Sequence, residues 1–414
     1  MGTMTDEQNI LPELPTQEEL EAKRIARQTD ERMTELREYL LDATKDYPEP
    51  YYMLEYNGVP FSTIGGIQAL SGQKKNGKTF VLAQLMAAIL GTDIDKSRTP
   101  QYLQGLRVPE RTLEHLGHNP TVLYVDTEME ELNSAKVLRR VHWLCGWPLE
   151  VPCERFHALW LRNVTDVKEG DKVIEKAYSK RYRLIKDAIE VFKPDAVFID
   201  GLRDIMADFN NLEESASIIG ELMAMAQKNN CCIWNTLHMN PRPGNDDESK
   251  MRGHAGTELG NKVTDTLVSI KKKDQVTGEV TFTVKQQDAR GKDMDDWKFQ
   301  VTEAAGALGI PRILSKIEAK ADDDKRERNE VNELFKTFNW TQFGATYTEL
   351  EKHVRLHNIT SNRKIKDIFD TAREAGIILK MENKKYRYNG LKEIPNDKTE
   401  DLPFEKEDSE EDPF

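Results

Sequence analysis

Gly72-Gln73-Lys74-Lys75-Asn76-Gly77-Lys78-Thr79 has the residue types and spacing of a phosphate-holding loop, G-x-x-x-x-G-K-[ST]. The glycines let successive backbone N–H groups turn toward one anion, and a helix that follows adds the partial positive charge of its N-terminus. In this pattern Lys78 reaches the β- and γ-phosphates and the Thr79 hydroxyl ligates Mg2+. The expected ligand is ATP with Mg2+, held by residues Gly72 through Phe80.

Such a loop needs a strand before it and a helix after it. Gly66 to Ser71 reads as the strand, and Phe80 to Leu90 as a helix stopped by Gly91. The partners of the loop belong at the carboxyl ends of neighbouring strands. The apolar run Thr121–Val125 ends in Asp126-Thr127-Glu128, Ala196–Ile199 ends in Asp200, and Cys231–Thr236 leads to His238. Asp200, after four apolar residues, suits a carboxylate that holds Mg2+ through water. Glu128 is the first choice for activating the attacking water and Asp126 the second, because alternation puts both on one face of an ideal strand. His238 stands where a sensor of the γ-phosphate would, although a lone His also serves as a structural residue.

The positioning elements fill residues 51–315. Helices are expected over Lys168–Phe192 and Ser215–Lys228, with a hairpin of Leu267–Lys273 and Val280–Gln286 around Thr277-Gly278 and a strand at Trp297–Val301. Nearly continuous apolar strands imply an α/β domain whose sheet is mostly parallel and covered on both faces. Residues 1–50 comprise a disordered segment over residues 1–15 and a helical arm from Gln17 to about Thr44, ended by Pro48 and Pro50. The arm packs on its own domain or reaches a neighbouring subunit.

The chain has 414 residues, 38% hydrophobic and 32% charged, with a net charge of -13. No apolar run approaches the ~18–20 residues of a membrane span. The N-terminus lacks a basic-then-apolar leader, so a cytoplasmic location is expected. The spacings of Cys145, Cys153, Cys231 and Cys232 match no zinc pattern, and reduced thiols are expected. Between Lys325 and Gly390, fourteen Lys/Arg outnumber nine Asp/Glu, so an acidic whole contains one basic segment.

Taken together, phosphate loop, Glu-terminated strand, apolar-Asp and His-terminated strand follow the order of RecA-like ATPases. Within that group the chain resembles plasmid RepA-type hexameric replicative helicases. Asp200-Gly201-Leu202-Arg203-Asp204, Leu237-His238-Met239-Asn240, and Arg252-Gly253 followed by Ala255-Gly256 are similar to that family's motifs, over residues 51–310. Lys74-Lys75-Asn76 departs from the small residues usual in the loop, which points to slow turnover. The resemblance implies a homo-oligomeric ring whose sites are completed by a neighbour's cations, with Lys285 and Arg290 the candidates. It also directs Met206–Glu214 and Asn240–His254 toward a channel for single-stranded DNA. The latter carries Arg242, Lys250 and Arg252, but also Asp246, Asp247 and Glu248, so a solvated surface loop is the competing reading.

Residues 316–390 read as a charged linker or helix extension followed by a winged helix: three helices (near 327–338, 348–357 and 361–375) and a hairpin turning at Glu382-Asn383-Lys384. Arg363, Lys364 and Lys366 on the third helix and Lys384 and Lys385 on the hairpin would contact duplex DNA, unless the unit is a protein-docking module. Residues 391–414 read as a disordered acidic tail ending in Asp412-Pro413-Phe414, similar to the tips of bacterial single-stranded-DNA-binding proteins. It either solubilises or binds a replication partner. The expected activity is a DNA helicase or translocase in replication or mobilisation of a plasmid or mobile element. The alternative is a non-unwinding ATP-dependent DNA-binding regulator or recombination mediator.

Overall fold

The computed structural model describes residues 15–29, 32–37, 39–92, 97–240 and 250–391. The chain divides into two units, residues 1–50 and 51–414. In the first, helices α1 (Gln17–Thr29) and α2 (Arg32–Leu36) are short. Thr16 and Glu19 cap α1 reciprocally. The helix expected as far as Thr44 stops at Leu36. Beyond it Asp42 Oδ1 accepts the backbone N–H and the hydroxyl of Thr44, a local turn that competes with helix.

The second unit opens with a hairpin, β1 (Tyr52–Tyr56) and β2 (Val59–Thr63), then β3 (Ile67–Gly72) and α3 (Lys78–Leu90). There follow α4 (Thr99–Tyr102), β4 (Leu106–Arg107), α5 (Glu110–Leu116), β5 (Val122–Asp126), α6 (Glu131–Cys145) and β6 (Phe156–Trp160). A small hairpin, β7 (Val167–Glu169) and β8 (Lys172–Glu175), precedes α7 (Ala177–Phe192). The helix expected from Lys168 therefore begins nine residues later. Gly170 turns the hairpin at φ 60°, and Asp166 accepts the backbone N–H of Ala177, fixing the helix start.

Next come β9 (Ala196–Asp200), α8 (Leu212–Asn229), β10 (Cys232–His238), α9 (Gly253–Lys262), β11 (Asp265–Lys273), β12 (Val280–Ala289), β13 (Trp297–Thr302) and β14 (Ile310–Ile313). The main sheet has the order β14-β13-β12-β11-β3-β10-β9-β5-β6. Strands β11 to β6 in that order run parallel, and β12 to β14 extend the sheet as an antiparallel meander.

Alternate residues of the central strands feed two cores. Tyr124, Phe198 and Trp234 face α3 and α6, while Val125, Ile199 and Ile233 face α7, α8 and α9. This two-sided burial is why β5 and β9 carry only apolar and aromatic residues before their terminal aspartates. Strand β10 separates β3 from β9, and in register His238 lies beside Gly72 and Asp126 beside Asp200. Three strand ends thus converge on the turn after β3.

The chain ends, as described, in α10 (Lys316–Lys336), α11 (Tyr347–Leu356), α12 (Asn362–Glu374) and the hairpin β15 (Ile378–Lys380) and β16 (Tyr386–Tyr388). Val331, Phe335, Leu350, Ile365 and Phe369 form a separate small core there. Residues 317–326 are helical, part of a continuous α10 that a Ser315–Glu318 capping box starts. Among the described residues no helix is long and apolar enough to cross a membrane. Cys145, Cys231 and Cys232 are buried free thiols, and Cys153 is a half-buried one.

Candidate functional site

The turn from β3 into α3 is built around two close approaches. A Cβ on Gly72 would lie 2.7 Å from the Ser269 carbonyl oxygen, and one on Gly77 2.6 Å from the Phe282 ring. Gly77 also sits at φ 82°, as the residue before the first turn of α3. Lys75, with a Cβ, adopts φ 68°, a conformation costing ~1–2 kcal/mol. The loop is held by the Ser269 hydroxyl, which donates to the Asn76 carbonyl at 2.5 Å. Gly77→Ala is expected to lower nucleotide affinity about tenfold, the equivalent of ~1.4 kcal/mol, while costing ~2–4 kcal/mol of stability from backbone strain and the clash with Phe282. Titration with a fluorescent nucleotide beside a thermal melt checks both.

Hydroxyl groups lock the three strand ends together. Thr236 Oγ1 donates to Asp200 Oδ1 at 2.7 Å and accepts the N–H of Gly201 at 2.9 Å. The Thr127 hydroxyl meets the carbonyls of Asp200 and Gly201 and the Asp204 carboxylate at 3.0–3.1 Å. Asp126 is fully buried; its Oδ1 accepts the backbone N–H groups of Glu128 and Met129, both at 2.9 Å. Asp126 therefore shapes the turn that presents Glu128, which lies in the bend beyond the end of β5, where strand alternation no longer applies.

Glu128 and His238 are each about one-third exposed, with Nε2 and Oε2 3.6 Å apart. Lys78 Nζ lies 3.0 Å from His238 Nδ1 and donates to the carbonyls of Gly72 and Gln73 at 3.2 and 3.4 Å. An ammonium group only donates, so Nδ1 accepts and the ring proton sits on Nε2, facing Glu128. That ring holds the Glu128 carboxyl below its ordinary value against the effect of burial, with Lys78 and Arg203 acting in the same sense. Burial pushes the Lys78 ammonium down, against the pull of Asp200 and Glu128. Burial likewise pushes Asp200 up to about 6; Asp126 and Glu128 add to the rise, and the Thr236 hydrogen bond opposes it.

Two clefts meet at Glu128 and His238. One, of about 320 Å³, is lined by Lys75 through Phe80, Met129, Asp200, Lys271 and Phe282. The other, of about 800 Å³, is lined by Gln73, Lys74, Arg162, Arg181, Arg203, Asp204 and Arg252 among others. The loop's unusual cations are thus divided between the clefts, Lys75 facing the first and Lys74 the second. In the first, the Thr79 hydroxyl and Asp200 carboxylate are the hard oxygen donors that Mg2+ takes, and a divalent cation would relieve the buried charge of Asp200. Among the described residues no group of three or more His, Cys, Asp or Glu forms a metal cage.

Other expected residues lie elsewhere. Lys285 is half-buried on β12 opposite Val268. Arg290 is exposed beyond the end of β12, and its N–H bonds the Thr264 carbonyl beside the start of β3. Five residues of strand, ~16 Å, separate that level from Gly72, so Arg290 stands at the end of the sheet away from its own phosphate loop. Arg252 borders the larger cleft at the start of α9, and His254, expected in a loop, is helical. Lys250 is exposed, while Arg242 lies outside the described residues, as does the Asp-Pro-Phe terminus. Arg363, Lys364, Lys366 and Lys384 are exposed and Lys385 half-exposed on α12 and the final hairpin.

Thr236, Thr127, Phe282 and Lys271 were not singled out by sequence. Thr236, two residues before His238 on one strand face, had a signal in alternation; Phe282, far along the chain, had none.

Strand order and site geometry define an α/β fold with a large, mostly parallel central sheet and a phosphate loop between β3 and α3, consistent with a RecA-like core. No family model matches the chain, and no curated protein matches it. Among solved structures it is similar to a KaiC-like protein from the hyperthermophilic archaeon Pyrococcus horikoshii. The two are 12% identical over 62% of this chain and 92% of that one, with a TM-score of 0.37.

Proposed function

We propose that the chain is a nucleic-acid-dependent ATPase, acting as a DNA helicase or translocase in replication or mobilisation of a plasmid or mobile element. One observation carries this reading: Glu128 and His238 form a wall shared by the phosphate cleft and a basic cleft. A phosphodiester backbone lying along Lys74, Arg203 and Arg252 would sit against the residues that face the γ-phosphate.

In this mechanism ATP draws Lys78 from His238 and the loop carbonyls onto its β- and γ-phosphates. Loss of that cation and arrival of a polyanion both shift Glu128 toward greater basicity, against the hydrogen bond from His238 that lowers it at rest. Glu128 then takes a proton from the water that attacks the γ-phosphorus, and ADP leaves. His238, freed of Lys78, donates from Nε2 toward Glu128 or the phosphate. Mg2+ bound by Thr79 and Asp200 would neutralise charge on the phosphate oxygens. Arg290, far from its own loop, would serve a neighbour's site in a ring.

The test is ATP hydrolysis with and without single-stranded DNA, alongside unwinding of a forked duplex, for wild type and Lys78→Ala. Stimulation by DNA with unwinding, both lost in Lys78→Ala, is the expected result. Slow turnover indifferent to DNA would instead favour the regulator.

A further inference from the structure

Thr281 and Phe282 are neighbours on β12, so their side chains leave the sheet on opposite faces. Phe282 packs against the phosphate loop: its ring fills the space a Cβ on Gly77 would need, stands 6.1 Å from Phe80, and stacks on Phe299 at 4.8 Å. Thr281, buried, is gripped from the other side by α10. Its hydroxyl receives Arg326 Nη2 at 2.7 Å and Gln300 Nε2 at 3.0 Å, and contacts Asp322 Oδ1 at 3.3 Å. Arg326 Nε donates to Asp322 Oδ2 at 2.8 Å, and both side chains are nine-tenths buried. Further along α10, Asn329 donates to Asp274 in the turn between β11 and β12 at 2.9 Å.

The same helix is the first helix of the C-terminal lobe. Val331 and Phe335 lie in its core, and Asn332 accepts the Tyr388 hydroxyl at 2.9 Å. The lobe is therefore joined to the phosphate loop by one uninterrupted helix, a buried ion pair and two adjacent residues of one strand.

We propose that Thr281 and Phe282 position the phosphate loop, and that α10 couples nucleotide occupancy of that loop to the C-terminal lobe. The inference rests on the reading of the loop as a nucleotide site, and it is independent of what the lobe binds. Nucleotide moves Lys78 and reorders residues 72–79 against Phe282. A buried, fully hydrogen-bonded junction transmits that shift because it has no slack to absorb it. Coupling of this kind is reciprocal, so a ligand of the lobe alters nucleotide affinity by the same factor that nucleotide alters the lobe's.

Amide hydrogen exchange on the full chain, with and without Mg2+ and the slowly hydrolysed analogue ATPγS, tests it. Wild type is expected to show slowed exchange both in residues 72–79 and in α10 to α12. In Thr281→Val the slowing is expected to persist in the loop and vanish from the lobe. Asn329→Ala, a milder change at the rim of the junction, is expected to weaken the remote effect and serves if Thr281→Val does not fold. Slowed exchange that stops at β12 in wild type, or reaches the lobe undiminished in the folded variants, would overturn the coupling. No slowing in residues 72–79 at saturating analogue would sink the nucleotide reading itself, and the coupling with it.

Discussion

Replacing Glu128 with Gln is expected to slow ATP turnover by about 10²–10⁴-fold, the range for loss of a general base, while nucleotide still binds. Gln keeps the shape and the contact with His238 but cannot take a proton from water. Asp126 cannot stand in. It is fully buried, and its Oδ1 is committed to two backbone N–H groups. Single-turnover phosphate release beside nucleotide titration separates the chemical step from binding. Hydrolysis at the wild-type rate in Glu128→Gln would remove Glu128 from the mechanism. Asp126→Asn offers the contrast: its main cost is expected in stability and in the placing of Glu128, because an amide group at that position can lose one of the two backbone bonds.

The phosphate loop and the three strand-end residues were legible because each is local. A strand, a polar residue at its end and a turn lie within a few positions of one another, and the apolar runs mark the strands. Which of Asp126 and Glu128 faces the site was not legible. The answer depends on a turn in which one carboxylate caps the backbone that carries the other. The β7–β8 hairpin was hidden by lysines and glutamates that suit a helix equally well, and Gly170 alone marked the turn. Phe282 and Ser269 were invisible as partners of the loop, since roughly 200 residues separate them from the backbone they hold. The dual role of α10 was obscured for a related reason. Asp322 and Arg326 look like a solvated i,i+4 pair, and only packing on Thr281 makes them a buried one.

DNA binding by the full chain is expected to weaken about 500-fold between 50 and 200 mM salt, with a log–log slope near ~-4.5 for five phosphate contacts. The five cations are Arg363, Lys364, Lys366, Lys384 and Lys385, and the folding of the lobe explains why they are available. Ile365, Ile368, Phe369 and Ala372 turn one face of α12 into the core, which leaves Arg363, Lys364 and Lys366 outward. Lys384 occupies a left-handed turn position at the tip of the β15–β16 hairpin, with Lys385 beside it. Arg373 and Arg355 are not counted, because Asp370 and Glu351 on their own helices already pair with them. The chain's net charge of -13 gives no general attraction to a polyanion, so any salt-dependent term must come from such a local patch. Lys364→Ala and Lys366→Ala are each expected to reduce the slope by about one and to weaken all duplex sequences alike. Binding indifferent to salt, or a slope that both variants leave unchanged, would turn the lobe into a protein-docking module and move DNA contact to the cleft beside Glu128.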